Sequence, residues 1–367
     1  MKARIAIVLL VMITFLSGCP EGGIYYTLEN ETKTTDNTLR NDIPIHGIAK
    51  LGSGYSIAAG NVWKGTLTPS PVTWDTATPI TPPVGGALCT ALVAFGADLY
   101  GGFITQSDTV GLHKAAGPSP TTFVGGQITD VGIKDRQVVL LAIVKSLTVP
   151  ELVVSTAIVG GSPYNYDLLL STDGAAYSSL LAATSTKPFT GVTCTSASGG
   201  NYWAVSGSSL YSGTGVGNLV PVASPTDATS SEVLTSVFSD DEISRLFVTS
   251  NLGYVYCSSN AGGTWTRNET AVKVGDTVVT FLTVAGGSGQ SKMLIGSDGY
   301  GYYVLDTAAS PPTLTRFSES TIALYTASVR RFLIDGSRLF ACTNSKGLWR
   351  TESFNPADCT VGSWIQE

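Results

Sequence analysis

Only two histidines stand among 367 residues, and charged side chains make up just 13% of the chain. His46 and His113 lie far apart, and neither has a His, Cys or Asp cluster at ligand spacing, so no metal site is expected. Both read as structural or partly exposed. Lysine and arginine number 21 against 27 acidic residues, giving a formal net charge of −6 and a pI near 5.0, which disfavours a nucleic-acid surface. No apolar run after residue 19 is long enough to span a bilayer, and no amphipathic helix of several turns follows it. There is no G-x-S-x-G elbow, so a serine hydrolase of that design is unsupported. "GGSGQSK", Gly286 to Lys292, lacks the lysine-serine or lysine-threonine ending of a phosphate loop and runs into the strand-like "MLIGSD". It reads as a hairpin turn. No catalytic set and no cofactor are expected from these residues.

What is present begins at the first residues. Lys2 and Arg4 open the chain, Ile5 to Phe15 is almost wholly apolar, and Leu16-Ser17-Gly18 leads into Cys19. That is the layout of an export signal, and the apolar run is shorter than the about 20 helical residues a hydrocarbon core demands. Leu16-Ser17-Gly18-Cys19 also resembles the lipobox of bacterial lipoproteins. The resemblance implies that residues 1–18 are removed and that Cys19 carries a diacylglyceryl group and further acyl chains such as palmitate. It places the protein in the bacterial cell envelope, periplasmic or surface-exposed, held to the membrane by lipid. An ordinary signal peptide that happens to carry a cysteine is the alternative reading.

The remainder is rich in glycine (41) and contains 17 prolines, with abundant Ser, Thr and Val, which favours strands and turns. One pattern recurs: a short apolar stretch, a Gly/Ser/Asn turn, then a hydrophobic residue beside an aromatic. Trp63, His113, Leu170, Tyr211, Tyr256, Tyr303 and Trp349 mark its copies, about 41 to 57 residues apart, the period of four-stranded propeller blades. The last three copies read strand by strand. The fifth divides into "VLTSVFSDD", "RLFVTSN", "GYVYCSSN" and "TWTRN", and the sixth and seventh divide alike. The expected fold is all-β, a seven-bladed β-propeller of four-stranded antiparallel blades over residues 43–367, after a lipidated linker over residues 19–42.

Trp63, Tyr256 and Trp349 are expected to fill the spaces between blades. "GGIYYTLENET", near the start of the mature chain, echoes "TWTRNET" and is expected to add an outer strand to the last blade and close the ring. Five cysteines remain after Cys19; pairing of Cys342 with Cys359 and burial as free thiols both stay open.

"SSNAGGTW", Ser258 to Trp265, matches the Asp-box S-x-D-x-G-x-T-W of sialidase-like propellers, with Asn260 for Asp. Ser171 and Asp173 keep part of a second box, and "GLWRTESFNPADCTVGSW" looks like the same hairpin with a stretched loop. The body therefore resembles WD40/YVTN/BNR-like repeat propellers. In such families the box is a structural hairpin away from the catalytic centre, so the resemblance makes Ser258, Asn260, Gly262, Thr264 and Trp265 structural. The same families' sialidases place an arginine near the start in an Arg-Ile-Pro motif. Here "NDIPIHG" has Asp42 at that place, and an acid would repel a substrate carboxylate.

"SDDEISR", Ser239 to Arg245, gathers Asp240, Asp241 and Glu242 and reads as a solvated turn, with a cation site as the alternative. Arg330 and Arg331 open the seventh inner strand and are candidates to face an anionic ligand at the channel, against the plainer reading of a charged strand end. The function expected is a monomeric, non-enzymatic binding scaffold for a protein or glycan. A periplasmic assembly factor for membrane proteins and a propeller-type glycan-processing enzyme are the alternatives. "GGFITQSDTVG" and "PVASPTDATSSEV" are the loops expected to carry contact.

Overall fold

The computed structural model describes residues 43–367 except 67–72, 107–108, 131–132, 135, 146–148, 159–163, 196–199, 226–230, 241–244, 288 and 320–321. Cys19, Asp42, Asp241, Glu242 and the expected closing strand lie outside the described residues. Residues 37–367 form one unit, and the described part of it is a ring of β-sheets with one short 3₁₀ turn, Ala323–Thr326.

The blades, numbered in chain order, follow one pattern: antiparallel strands laid side by side in the order in which the chain makes them, four to a blade except in blade 2. Blade 5 is typical, with strands Leu234–Asp240, Arg245–Ser250, Val255–Ser258 and Thr266–Arg267. Blade 2 has three strands, and an isolated bridge from His113 to Gln127 stands in its fourth place. The first strands of successive blades lie next to one another and surround the axis. In blades 2 to 7 that strand shifts register at one residue: Thr90, Val139, Thr190, Thr235, Leu282 and Arg330 are the extra residues. Such a bulge adds twist, which a sheet needs when its inner edge is crowded round an axis.

The second strands explain why the repeat is visible. "RLFVTS", "KMLIGS" and "RLFACT" are continuous apolar runs because both faces are covered. Leu246 and Val248 face blade 4 and Phe247 faces blade 6; Leu339 and Ala341 face blade 6 while Phe340 and Cys342 face blade 1. One apolar cluster fills each of the seven seams, and the seventh, with Ile48, Ile57, Trp63, Phe340 and Leu348, joins blade 7 to blade 1. The ring is closed.

Closure repeats the backbone bond of the other seams. Ile45 N–H donates to Thr343 O at 2.9 Å, as Cys89 N–H does to Gly60 O at 2.9 Å and Leu234 N–H to Gly207 O at 2.8 Å. Blade 7 takes its fourth strand, Ile365–Gln366, from its own repeat. Polar ties reinforce this seam. The fully buried Arg350 guanidinium holds Glu352 and, through Nε at 2.5 Å, Glu367, whose other oxygen accepts Trp74 Nε1–H of blade 1 at 3.0 Å. Asp335 accepts Tyr55 Oη–H at 2.5 Å and Lys50 Nζ–H at 2.6 Å, again from blade 1.

Six of the seven marker residues hold one structural position, on the third strand facing the preceding blade. Trp63, Tyr256 and Trp349 fill the 7/1, 4/5 and 6/7 seams as expected. In blade 3 the equivalent is Leu169, not Leu170: Leu169 packs toward blade 2, whereas Leu170 packs toward blade 4. A slip of one residue reverses the face of a strand. "GGFITQSDTVG" is also corrected, since most of it belongs to the strands Asp98–Ile104 and Thr109–Ala115.

Candidate functional site

The two faces of the ring differ in what they carry. One bears the turns between first and second strands and those between third and fourth; the boxes lie there. Ser258 Oγ accepts Gly262 N–H at 2.8 Å and donates to Asn260 Oδ1 at 2.9 Å, and Asn260 Oδ1 accepts Thr264 N–H at 2.8 Å. Gly262 has φ +81°, and a Cβ there would stand 2.5 Å from the Trp203 ring of blade 4, so glycine is required. Trp265 packs into the same seam. Blade 3 repeats the device. Gly174 N–H donates to Ser171 Oγ at 2.8 Å, Ala175 N–H to Asp173 Oδ1 at 2.8 Å, and Gly174, φ +73°, lies against the Tyr100 hydroxyl of blade 2. In blade 7 the stretched loop folds into its own hairpin, Phe354–Asn355 with Thr360–Val361, before Trp364 returns to pack on Tyr302. Each hairpin fastens a blade to its predecessor.

On that face Asp240 is buried and accepts Gly289 N–H at 3.0 Å, while Gly286 and Lys292 end and begin the two strands that "GGSGQSK" connects. The five described cysteines are buried and form no disulfide with one another. Cys342 lies in the 7/1 seam and Cys359 in the 6/7 seam, on opposite sides of blade 7, so they do not pair; burial pushes both thiols up to about 12.

At the axis, Arg331 reaches past blade 1. Its Nη2–H donates to Leu141 O at 2.9 Å and its Nη1–H to Leu92 O at 3.3 Å, carbonyls on the inner strands of blades 3 and 2. A guanidinium is suited to this because it supplies several donors in a rigid plane. Arg330, the bulged residue beside it, is exposed. His46 stands at the equivalent place in blade 1; burial, then the Arg330 charge, lower its pKa to about 4, so the imidazole is neutral at pH 7. His113 packs edge-on to Phe103 and meets Val110 O at 3.1 Å.

Two tyrosine–glutamate pairs lie in the seams: Tyr202 donates to Glu151 at 2.5 Å and Tyr256 to Glu232 at 2.9 Å. Burial and then the glutamate raise both tyrosines well above the usual phenol range. They stay protonated and serve as donors, which is the opposite of what a phenolate nucleophile needs. Among the described residues no three His, Cys, Asp or Glu side chains converge as metal ligands.

The face opposite the boxes carries the turns between second and third strands and the connections from blade to blade. There a cleft of about 750 Å³ opens at the 4/5 seam, between the connections into blades 4 and 5. Its wall includes Lys187, Thr190, Ser208, Ser209, Glu232 and Val233. Ser185 and Ser206 knit the base: their hydroxyls meet at 2.9 Å, and Ser206 Oγ–H donates to Lys187 O at 2.7 Å. Glu232 is 2% exposed; one carboxylate oxygen takes the Tyr256 hydroxyl, and the other, Oε1, is buried without a hydrogen-bond partner. Lys187 makes no ion pair among the described residues.

Sequence reasoning placed Glu232 only inside the contact loop "PVASPTDATSSEV" and missed Lys187. The signal is positional. Three residues before each bulge stand Ala87, Val279 and Ala327 in blades 2, 6 and 7, all buried, and Arg136, Lys187 and Glu232 in blades 3, 4 and 5. Arg136 pairs with Asp167 at 3.5 Å. Glu232 occupies a place where other blades bury an apolar side chain.

Comparison with known proteins adds the fold's company. The chain shares 13% identity with YCF48 from Cyanidioschyzon merolae at a TM-score of 0.55, over 86% of this chain and 97% of that one. It shares 13% with Sqt1 of Saccharomyces cerevisiae at a TM-score of 0.57, over 89% and 86%. YCF48 bound to D1 peptide is similar at 12% and 0.55, over 85% and 94%. The chain is a seven-bladed β-propeller. No family model and no curated protein sequence matches it. At such identities the likeness speaks for the fold alone.

Proposed function

We propose that this propeller is a non-enzymatic, extracytoplasmic binding scaffold, lipid-anchored through Cys19 and presenting the cleft-bearing face of its ring to a protein or glycan. The observation that carries the reading is the cleft at the 4/5 seam, where a buried carboxylate with an unpartnered oxygen stands in the wall of an open site. A rigid ring with recognition on its connecting segments is a common division of labour. The anchor rests on the lipobox resemblance of Leu16 to Cys19.

The experiment is a photo-crosslinking residue at Ser208 in cells producing the full chain, with a Cys19→Ser companion grown on labelled palmitate. Label on the wild type alone, together with a discrete crosslinked species dependent on the Ser208 probe, is expected. A probe at Ser208 that captures nothing from the envelope contradicts the scaffold reading. A periplasmic assembly factor is the narrower form of the same proposal. It is favoured by the peptide-bound propeller among the structural neighbours and predicts that the captured species is a membrane protein.

A further inference from the structure

We propose that the cleft between blades 4 and 5 binds a neutral saccharide, with Glu232 accepting hydrogen bonds from its hydroxyls and Lys187 donating to its oxygens. This deepens the scaffold reading and rests on it.

Three properties select the ligand. The first is charge. A carboxylate accepts only and an ammonium donates only, and the cleft holds one of each without an ion-pair partner. An anionic ligand would meet Glu232, and a simple cation would meet Lys187. A neutral molecule bearing both donors and acceptors satisfies the two together. The second is the remaining lining. Thr190, Ser208, Ser209 and Ser231 add hydroxyls that donate or accept as their rotors turn, and none has a side-chain partner among the described residues. A polyol is the ligand whose own groups match such a wall. The third is size and shape: about 750 Å³ lies within the range of about 300–1,000 Å³ typical of small-ligand clefts, and Val233, 39% exposed, offers an apolar rim for the C–H face of a sugar ring.

The position of Glu232 argues that the site is built. Ala87, Val279 and Ala327 are the buried equivalents in three other blades, so an apolar residue fits the repeat there. A buried acceptor left without a donor costs stability. A ligand hydroxyl is the group that recovers it, and the Tyr256 hydroxyl, bound to the other oxygen at 2.9 Å, holds the carboxylate in place.

The test uses the full chain, extracted in detergent. A glycan array is followed by NMR titration with the neutral saccharides it selects, reading the amides of Gly207, Ser208 and Ser209. In parallel a lysine-rich peptide and a glutamate-rich peptide are titrated. Saturable shifts from a neutral saccharide are expected, with Kd raised at least tenfold in both Glu232→Gln and Lys187→Met. Lys187 is exposed, so its variant keeps the fold even if Glu232→Gln does not. An array without a hit, or saccharide binding indifferent to both substitutions, overturns the proposal. Peptide binding at the same amides overturns the saccharide assignment and leaves the scaffold reading standing. Failure of that reading is separate, read by the absence of any Ser208 crosslink in the envelope.

Discussion

The seam between blades 7 and 1 and the seam between blades 4 and 5 share a backbone bond, Ile45 to Thr343 at 2.9 Å and Leu234 to Gly207 at 2.8 Å, and a common apolar filling. They differ in what becomes of their charges. In the first, Arg350, Glu367, Asp335 and Lys50 are each paired with one another or with Trp74 and Tyr55, though Arg350 Nη2 is buried without a partner. In the second, Glu232 keeps a buried oxygen unpartnered and Lys187 has no counter-ion among the described residues. A closing seam pairs its charged groups to hold the ring, whereas a seam already joined by the chain leaves a carboxylate and an ammonium without counter-ions among the described residues. The difference separates stability from binding within one architecture.

Breaking the first seam gives the largest effect. Arg350→Ala leaves the buried Glu367 without its cation, while Arg338 still holds Glu352, and removing one partner of a buried pair costs about 3–5 kcal/mol. Urea unfolding will show the lower midpoint. The second seam responds in the other direction. Glu232→Val with Tyr256→Phe removes the unpartnered oxygen and its tether together. It is expected to stabilise the ring by roughly 0.5–2 kcal/mol while abolishing ligand binding, the usual exchange at a functional site. Thermal denaturation checks it.

The blade 5 box packs into the 4/5 seam from the face opposite the cleft. Asn260→Ala loses the bonds to Thr264 and Ser258 on an exposed hairpin, a loss of about 1 kcal/mol that leaves ligand affinity unchanged, measured by melting and titration side by side. The smallest effect is in acid. Burial raises Asp335, but hydrogen bonds from Lys50 and Tyr55 outweigh it and hold the carboxyl below its ordinary value of 3.8. Its contribution is therefore complete above that value and lost as pH falls through the lower folded value. Asp335→Asn is expected to flatten the pH dependence of unfolding below about pH 4, with the midpoint at pH 7 lowered only modestly.

Much of this ring was legible in its residues because the second strands are covered on both faces and read as unbroken apolar runs. "RLFVTSN", "KMLIGSD" and "RLFACTNS" each contain the strand found. The third copy was misread by one residue because Leu168, Leu169 and Leu170 form a run without polar alternation, so nothing in the side chains tells one face from the other. The Ser171–Asp173 box was legible for a different reason: its hydrogen bonds are local. Arg331 was visible as an inner-strand charge, but its bonds to Leu92 and Leu141 join residues 239 and 190 positions away, which no local pattern carries. The cleft was hidden for the same reason. Lys187 and Glu232 come together only after two blades are stacked, and Glu232 sat in a stretch that looks like ordinary polar loop. Once the bulges set the register, Glu232 is distinguished as the buried charge at a position that holds Ala87, Val279 and Ala327 in three blades, the half-buried Arg136 in blade 3 and the exposed Lys187 in blade 4.

The most direct test of the central claim, that the 4/5 cleft sacrifices stability to hold a ligand, is one thermal-shift experiment. Wild type and the Glu232→Val, Tyr256→Phe variant are melted with and without the saccharide that the array selects. The account predicts that the variant melts higher when alone and gains nothing from ligand, while the wild type rises with ligand concentration. A variant that melts lower and still shifts with ligand would contradict it.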